Sequence, residues 1–296
     1  MRVIVAGRYR KVVRYTRALP NDSPRVRSEK KVATNNAKRY INIKTSTEKL
    51  QWLLCANYDR KDACFLTFTV RDDQMPQSRA DMKARMSAFM QNCRKEFARQ
   101  GREFKFVYTV EGNTAPSVDA ADPSGIPWEI EPWSDKRRWD MVDDVNAKDT
   151  HDAPVRIHAH CCLLLNKTDY DTIRSFWSYG HVYINAMRVN HPDTFAKIAA
   201  YMMKDVRNGK SPAQERGYIP SLNLEKPTVD GWWCSEFEGI AIPDGAETIE
   251  RQLLSTNLYG AAEEHAFYRL PRDRQLPGPY KSKGSLNRKV RKRKSK

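Results

Sequence analysis

Residues 156–165 read RIHAHCCLLL, two histidines one residue apart at the head of a run that is otherwise almost wholly apolar. In an extended strand alternate side chains share a face. Arg156, His158, His160 and Cys162 then fall on one side, and Ile157, Ala159, Cys161 and Leu163 on the other. The apolar side is the one expected to meet helices. The two imidazoles leave it together, roughly 7 Å apart along the strand, so their ring nitrogens can share one divalent ion. The stretch therefore predicts a strand that is core on one face and carries chemistry on the other.

Working outward, CFLTFTV at 64–70 is short, rich in aromatic and β-branched residues, and ends in the turn-prone DDQMP, which predicts a strand. FKFVYTVEG at 104–112 alternates and predicts another, with Glu111 at its end. Between them, residues 79–99 place Met82, Met86, Phe89, Met90, Cys93 and Phe97 at helical spacing, a stripe read as core. Downstream, TDYDTIRSFWSYG predicts a helix capped by Thr168, GHVYINAMRV a strand, and DTFAKIAAYMMKDVRNG a helix ending at Gly209. Upstream, TSTEKLQWLLCANYD from Thr45 predicts a capped helix with Leu50, Leu53 and Leu54 inward. Strands interleaved with helices, without the glycine-rich turn of a nucleotide fold, predict an α+β domain: a central antiparallel sheet with helices packed on one face, and basic flexible termini. The expected organisation is a basic N-terminal region over 1–60, a core domain over 61–230 interrupted by an acidic insertion at 113–154, and a C-terminal region with a basic tail over 231–296.

The chain has 296 residues and a formal net charge of +16. That length buries a core without staples, and the charge implies an anionic partner, nucleic acid first. Residues 281–296 carry nine Lys or Arg and no acid, and residues 1–40 carry twelve basic and two acidic, whereas 113–154 carry ten acidic against four basic. Arg288, Lys289, Arg291, Lys292, Arg293 and Lys294 are the expected salt-sensitive DNA contacts. The six cysteines show no C-x-x-C spacing, which argues against a zinc ribbon or disulfide framework and for reduced, buried thiols. No apolar run suits a bilayer span or secretory signal, so no membrane partner and a cytoplasmic location are expected.

Three further residues bear on the chemistry. Glu111 can complete a site of two nitrogens and one carboxylate with open positions for water or substrate. Tyr201 and Lys204 stand at i and i+3 of a helix and share a face. A phenol with an ordinary pKa of about 10 needs nearby positive charge to ionise and attack phosphorus. Each feature also has a structural reading: paired core histidines, a glutamate at a strand end, and a packing tyrosine beside a solvated lysine. On these residues alone a non-catalytic DNA-binding protein and a cupin-like metal oxygenase stay open, although the CCLLLN after His160 lacks the glutamate that cupin strands usually supply.

FLTFT at 65–69, HAH at 158–160 and YMMK at 201–204, in this order, resemble the three motifs of the HUH endonucleases. Over roughly residues 60–230, including YIPSLNLEKP at 218–227, the chain is most similar to rolling-circle replication initiators of single-stranded DNA bacteriophages and related plasmids. The resemblance implies an RRM-like sheet and Mg²⁺ or Mn²⁺ held by His158, His160 and, as third ligand, Glu111. It implies Tyr201 as nucleophile, Lys204 as the motif lysine, and a 5′-phosphotyrosine intermediate. The partners it implies are single-stranded or extruded origin DNA and host helicase and polymerase, in a bacterial cytoplasm. Leu222 and Asn223 stand where that group often carries Arg-Gly. Asp205 stands where many phage members carry a second tyrosine, implying a one-tyrosine enzyme. Conjugative relaxases differ in having the tyrosine ahead of a three-histidine cluster.

Overall fold

The computed structural model describes residues 1–15, 36–112, 156–191, 193–208, 216–231, 239–256 and 261–272. In chain order the elements are β1 (Arg2–Ala6), β2 (Tyr9–Tyr15), α1 (Asn36–Asn57), β3 (Ala63–Phe68), α2 (Arg79–Arg99), β4 (Phe106–Glu111), β5 (His158–Leu164) and α3 (Tyr170–Phe176). There follow β6 (Val182–Ala186), α4 (Thr194–Met202), α5 (Lys204–Arg207), β7 (Ile219–Pro220), β8 (Thr228–Gly231), β9 (Glu247–Thr256) and β10 (Ala261–Arg269). The fold is α+β, and the chain divides into two compact units, Ser23–Pro227 and Met1–Asp22 with Thr228–Lys296. Among the described residues no helix is long and apolar enough to cross a membrane.

The Ser23–Pro227 unit holds an antiparallel sheet in the order β6-β3-β5-β4-β7. The histidine strand is its middle member. As the alternation predicts, Ile157, Ala159, Cys161 and Leu163 lie in one hydrophobic core with the Met and Phe stripe of α2. Ser78 caps α2, its side chain accepting from the Asp81 amide, which fixes where the helix starts. Trp177, just beyond α3, closes the end of this core edge-on against Phe68 and Phe89. The opposite face is covered as well. Met202 of α4 meets Cys162 there, with Sγ and Sδ 3.9 Å apart, and α1 packs against α4 with Leu50 and Leu54 fully buried. Cys55, Cys64, Cys93, Cys161 and Cys162 are buried, and burial pushes the Cys93 thiol up to about 12.

Three local expectations are corrected. Helix α1 starts at Asn36, upstream of the start expected at Thr45. The turn before α3 is capped by Asn166, whose amide also donates to Asp169 at 2.7 Å, and not by Thr168. Asp169 is in turn held by a two-pronged bond from Arg102 at 2.7 and 2.9 Å. The helix bearing Tyr201 breaks at Met203, so α4 and α5 are separate, and α5 ends before Gly209, which lies outside the described residues.

The Met1–Asp22 and Thr228–Lys296 unit is a second five-stranded antiparallel sheet, β8-β1-β2-β10-β9. Residues 1–60 therefore do not act as one region: β1 and β2 pair with strands more than two hundred positions away, for example Val13 with His265, while α1 belongs to the other unit. Val3, Val12, Ala266, Tyr268 and Leu270 form its core. The acidic stretch 113–154 and the basic tail from 281 lie outside the described residues.

Beyond Phe68 the chain keeps pairing: the Thr69 amide donates to His181 O and the Arg71 amide to Tyr179 O, both at 2.9 Å. The Trp177 indole donates to Thr69 O at 2.9 Å. Gly180 sits against this turn so closely that a Cβ would lie 2.3 Å from Thr69 O. Gly180→Ala is therefore expected to lower stability by about 1–3 kcal/mol through overpacking against backbone that cannot yield. A urea midpoint equal to wild type would refute this.

Candidate functional site

Register builds the site. Glu111 is the last residue of β4 and lies directly opposite His158, and Thr109 lies opposite His160. Direct cross-strand partners share a face, so Glu111, His158 and His160 are forced together on the face away from the α2 core. Their ligand atoms all fall within 4.8 Å of one another. His158 Nε2 is 3.3 Å and His160 Nε2 3.4 Å from Glu111 Oε2.

The outer ring nitrogens are already engaged. His158 Nδ1 lies 2.8 Å from the Arg156 carbonyl, a contact in which the ring must donate, leaving the Nε2 lone pair of the neutral ring facing Glu111. His160 Nδ1 lies 3.0 Å from the Thr67 hydroxyl, and Phe65 stacks on the same ring at 5.2 Å. The FLTFT strand thus orients His160 from two sides. Neither Glu111 oxygen nor His160 Nε2 makes a hydrogen bond of ordinary geometry, although all three atoms are buried. Buried polar atoms that converge in this way are costly unless cations take them up, and the Lys204 ammonium, 2.9 Å from Glu111 Oε2, meets only one of the three. Two imidazoles, each oriented from behind, and one carboxylate fit a divalent metal and leave coordination positions open.

Tyr201, near the end of α4, stands edge-on to His160 with centroids 4.8 Å apart and to Phe65 at 5.9 Å. Lys204, first residue of α5, places Nζ 2.9 Å from Glu111 Oε2 and 4.2 Å from the centre of the Tyr201 ring. All five residues expected at the centre therefore converge.

The charges are strongly coupled. Burial pushes the Glu111 carboxyl up, but the His158 and His160 contacts and the Lys204 charge outweigh it and hold the group well below the usual carboxylate range. Burial pulls both histidines down; Glu111 overcomes this for His158, whose pKa is raised, and not for His160, whose pKa is lowered. Burial and then Glu111 raise the Tyr201 phenol, with Lys204 opposing them. Burial lowers Lys204, yet Glu111 and Tyr201 more than compensate, so the ammonium persists.

Other expected residues fall elsewhere. Arg288, Lys289, Arg291, Lys292, Arg293 and Lys294 lie outside the described residues. Leu222 is 99% exposed, and Asn223 ties its loop to the approach of β4 by donating to Glu103 at 2.9 Å. Asp205 is buried, with its carboxylate turned to Arg79 and Gly112. Phe65 and Thr67 of FLTFT hold His160, a role whose signal in the sequence is their two-residue spacing on the strand beside the histidines.

Comparison of the chain with protein-family models, curated proteins and solved structures found no match in any of the three.

Proposed function

We propose that this protein is a replication initiator that nicks single-stranded or extruded origin DNA by tyrosine attack and later rejoins it, in rolling-circle replication. The observation that carries this reading is the convergence of a phenol and an ammonium on a carboxylate–imidazole–imidazole set within one cluster. Mg²⁺ or Mn²⁺ bound by Glu111, His158 and His160 would supply Lewis acidity at a phosphate oxygen.

The chain's own residues supply the rest. Tyr201 is a protonated phenol at neutral pH. On attack its Oη bonds to phosphorus and the bond from phosphorus to the 3′ oxygen breaks. The phenol proton leaves to solvent, and the 3′ oxygen takes one up. The products are a 5′-phosphotyrosine and a free 3′-hydroxyl, which a host polymerase extends. The linkage conserves the energy of the cleaved bond, so an incoming 3′-hydroxyl reverses the step without ATP. Lys204, already in contact with both Glu111 and the Tyr201 ring, stabilises negative charge on phenolate or phosphate as a point cation. His160, held by Thr67 and Phe65, and His158, held by the Arg156 carbonyl, keep the ligand set pre-oriented. The net charge of +16 favours polyanion binding around this centre.

A non-catalytic DNA-binding protein accounts for the charge but gives Tyr201 and Lys204 no reason to meet the triad. A cupin needs a closed barrel, whereas β6 and β7 are free edges of an open sheet in the described residues.

The test uses a randomised pool of single-stranded oligonucleotides, labelled at the 3′ or the 5′ end, with Mn²⁺. Expected is a covalent adduct carrying the 3′ label and a released fragment carrying the 5′ label with a free 3′-hydroxyl. Salt-sensitive binding of the pool without any adduct would favour the binding protein instead.

A further inference from the structure

The end of β4 is held by a device outside the triad. Strand β7 pairs only with Val107 and Tyr108, so it does not reach the last residues of β4. Backbone groups on an unpaired edge need other partners. Here side chains from two helices provide them. Arg79, the first residue of α2, donates to the carbonyl of Val110 and, at 3.1 Å, to that of Gly112, so its guanidinium grips the backbone on both sides of Glu111. Asp205 of α5 accepts from the Gly112 amide at 2.8 Å and pairs with Arg79 at 3.4 Å. Arg79 and Asp205 side chains are only 11% and 9% exposed. Gly112 itself turns at φ 89°, a conformation suited to glycine, so the chain leaves the strand exactly where the clamp closes.

We infer that Arg79 and Asp205 are positioning residues that fix the Glu111 carboxylate beneath the two imidazoles. Asp205 adjoins Lys204, which binds that carboxylate directly, so α5 meets β4 twice: through Lys204 at the Glu111 side chain and through Asp205 at the following amide. A carboxylate at position 205 thus braces the strand and is not a substitute nucleophile. A guanidinium is required at 79, because only its planar fork reaches two carbonyls and a carboxylate together.

The inference leans on the metal reading for one of its two measurements, and the other is independent of it. Full-length wild type, Asp205→Ala, Asp205→Asn and Arg79→Lys are titrated with Mn²⁺, the free ion being followed by electron paramagnetic resonance. Their amide hydrogen exchange is compared without metal. Asp205→Ala and Arg79→Lys are expected to bind Mn²⁺ about 10- to 100-fold more weakly, the range for supporting partners of metal ligands. Asp205→Asn, which keeps an acceptor for the Gly112 amide, restores part of that affinity. Exchange at Glu111 and Gly112 should rise by at least about tenfold in Asp205→Ala, with β3 unchanged, as local opening requires. If Asp205→Ala does not fold, Arg79→Lys and Asp205→Asn carry both measurements. A folded Asp205→Ala, or Arg79→Lys in its place, with wild-type Mn²⁺ affinity or with wild-type exchange at Gly112 overturns the inference. Failure of wild type to bind Mn²⁺ strikes the metal reading instead, and exchange alone then decides whether the brace holds Glu111.

Discussion

Tyr201→Phe is expected to abolish covalent adduct formation, by at least about a thousandfold, while Mn²⁺ binding and affinity for single-stranded DNA stay at wild-type levels. The substitution removes one oxygen and leaves the ring, whose edge-on packing against His160 and Phe65 does not depend on the hydroxyl. The fold and the ligand set should survive, so lost activity cannot be charged to a collapsed site. Denaturing gels of 3′-labelled oligonucleotide read the result. A Phe variant that still carries the label would mean that another residue attacks phosphorus.

Glu111→Gln should have the second-largest effect, weakening Mn²⁺ by more than about a hundredfold and taking nicking with it. The change is nearly isosteric but removes the charge on which His158, His160 and Lys204 all converge. It also has a signature in the metal-free protein. The Glu111 pKa is depressed, so its stabilisation is present above the unfolded value, about 4.3, and fades as pH falls below it. The His158 pKa is raised, so its share is present below its unfolded value, about 6.5, and fades as pH rises through the folded value. Wild type should therefore exceed the variant in stability most clearly between about pH 4.5 and 6.5. Urea midpoints in EDTA at acid, intermediate and alkaline pH measure this, and parallel curves would contradict the charge arrangement.

What the sequence reveals here follows the range of the interactions. Helix α2 spans the predicted residues because its stripe and Ser78 cap are local, and the two faces of β5 follow from alternation alone. The triad was legible because a strand end and an H-x-H pair have few ways to meet in an antiparallel sheet. The second sheet was not legible: the pairing of β2 with β10 joins residues that the whole Ser23–Pro227 segment separates in sequence. The same holds for Arg79 and Asp205, where nothing near Arg79 in sequence distinguishes it from other surface arginines. Its buried position comes from a strand edge and a helix break, both set by tertiary packing.

Strands β4 and β5 are adjacent and antiparallel, yet 46 residues separate Glu111 from His158. Because register sets these two residues opposite each other, the connection enters and leaves within about one strand spacing, roughly 5 Å. Closure entropy grows only as the logarithm of length. For a simple chain, replacing such a connection with a turn of a few residues would change the fold's stability by only about 2 kcal/mol, in the stabilising direction. The Glu111–His158–His160 constellation is in this sense independent of how much chain is threaded between its two halves. A sheet built this way can gain or lose a segment between these two strands while Glu111, His158 and His160 keep their register.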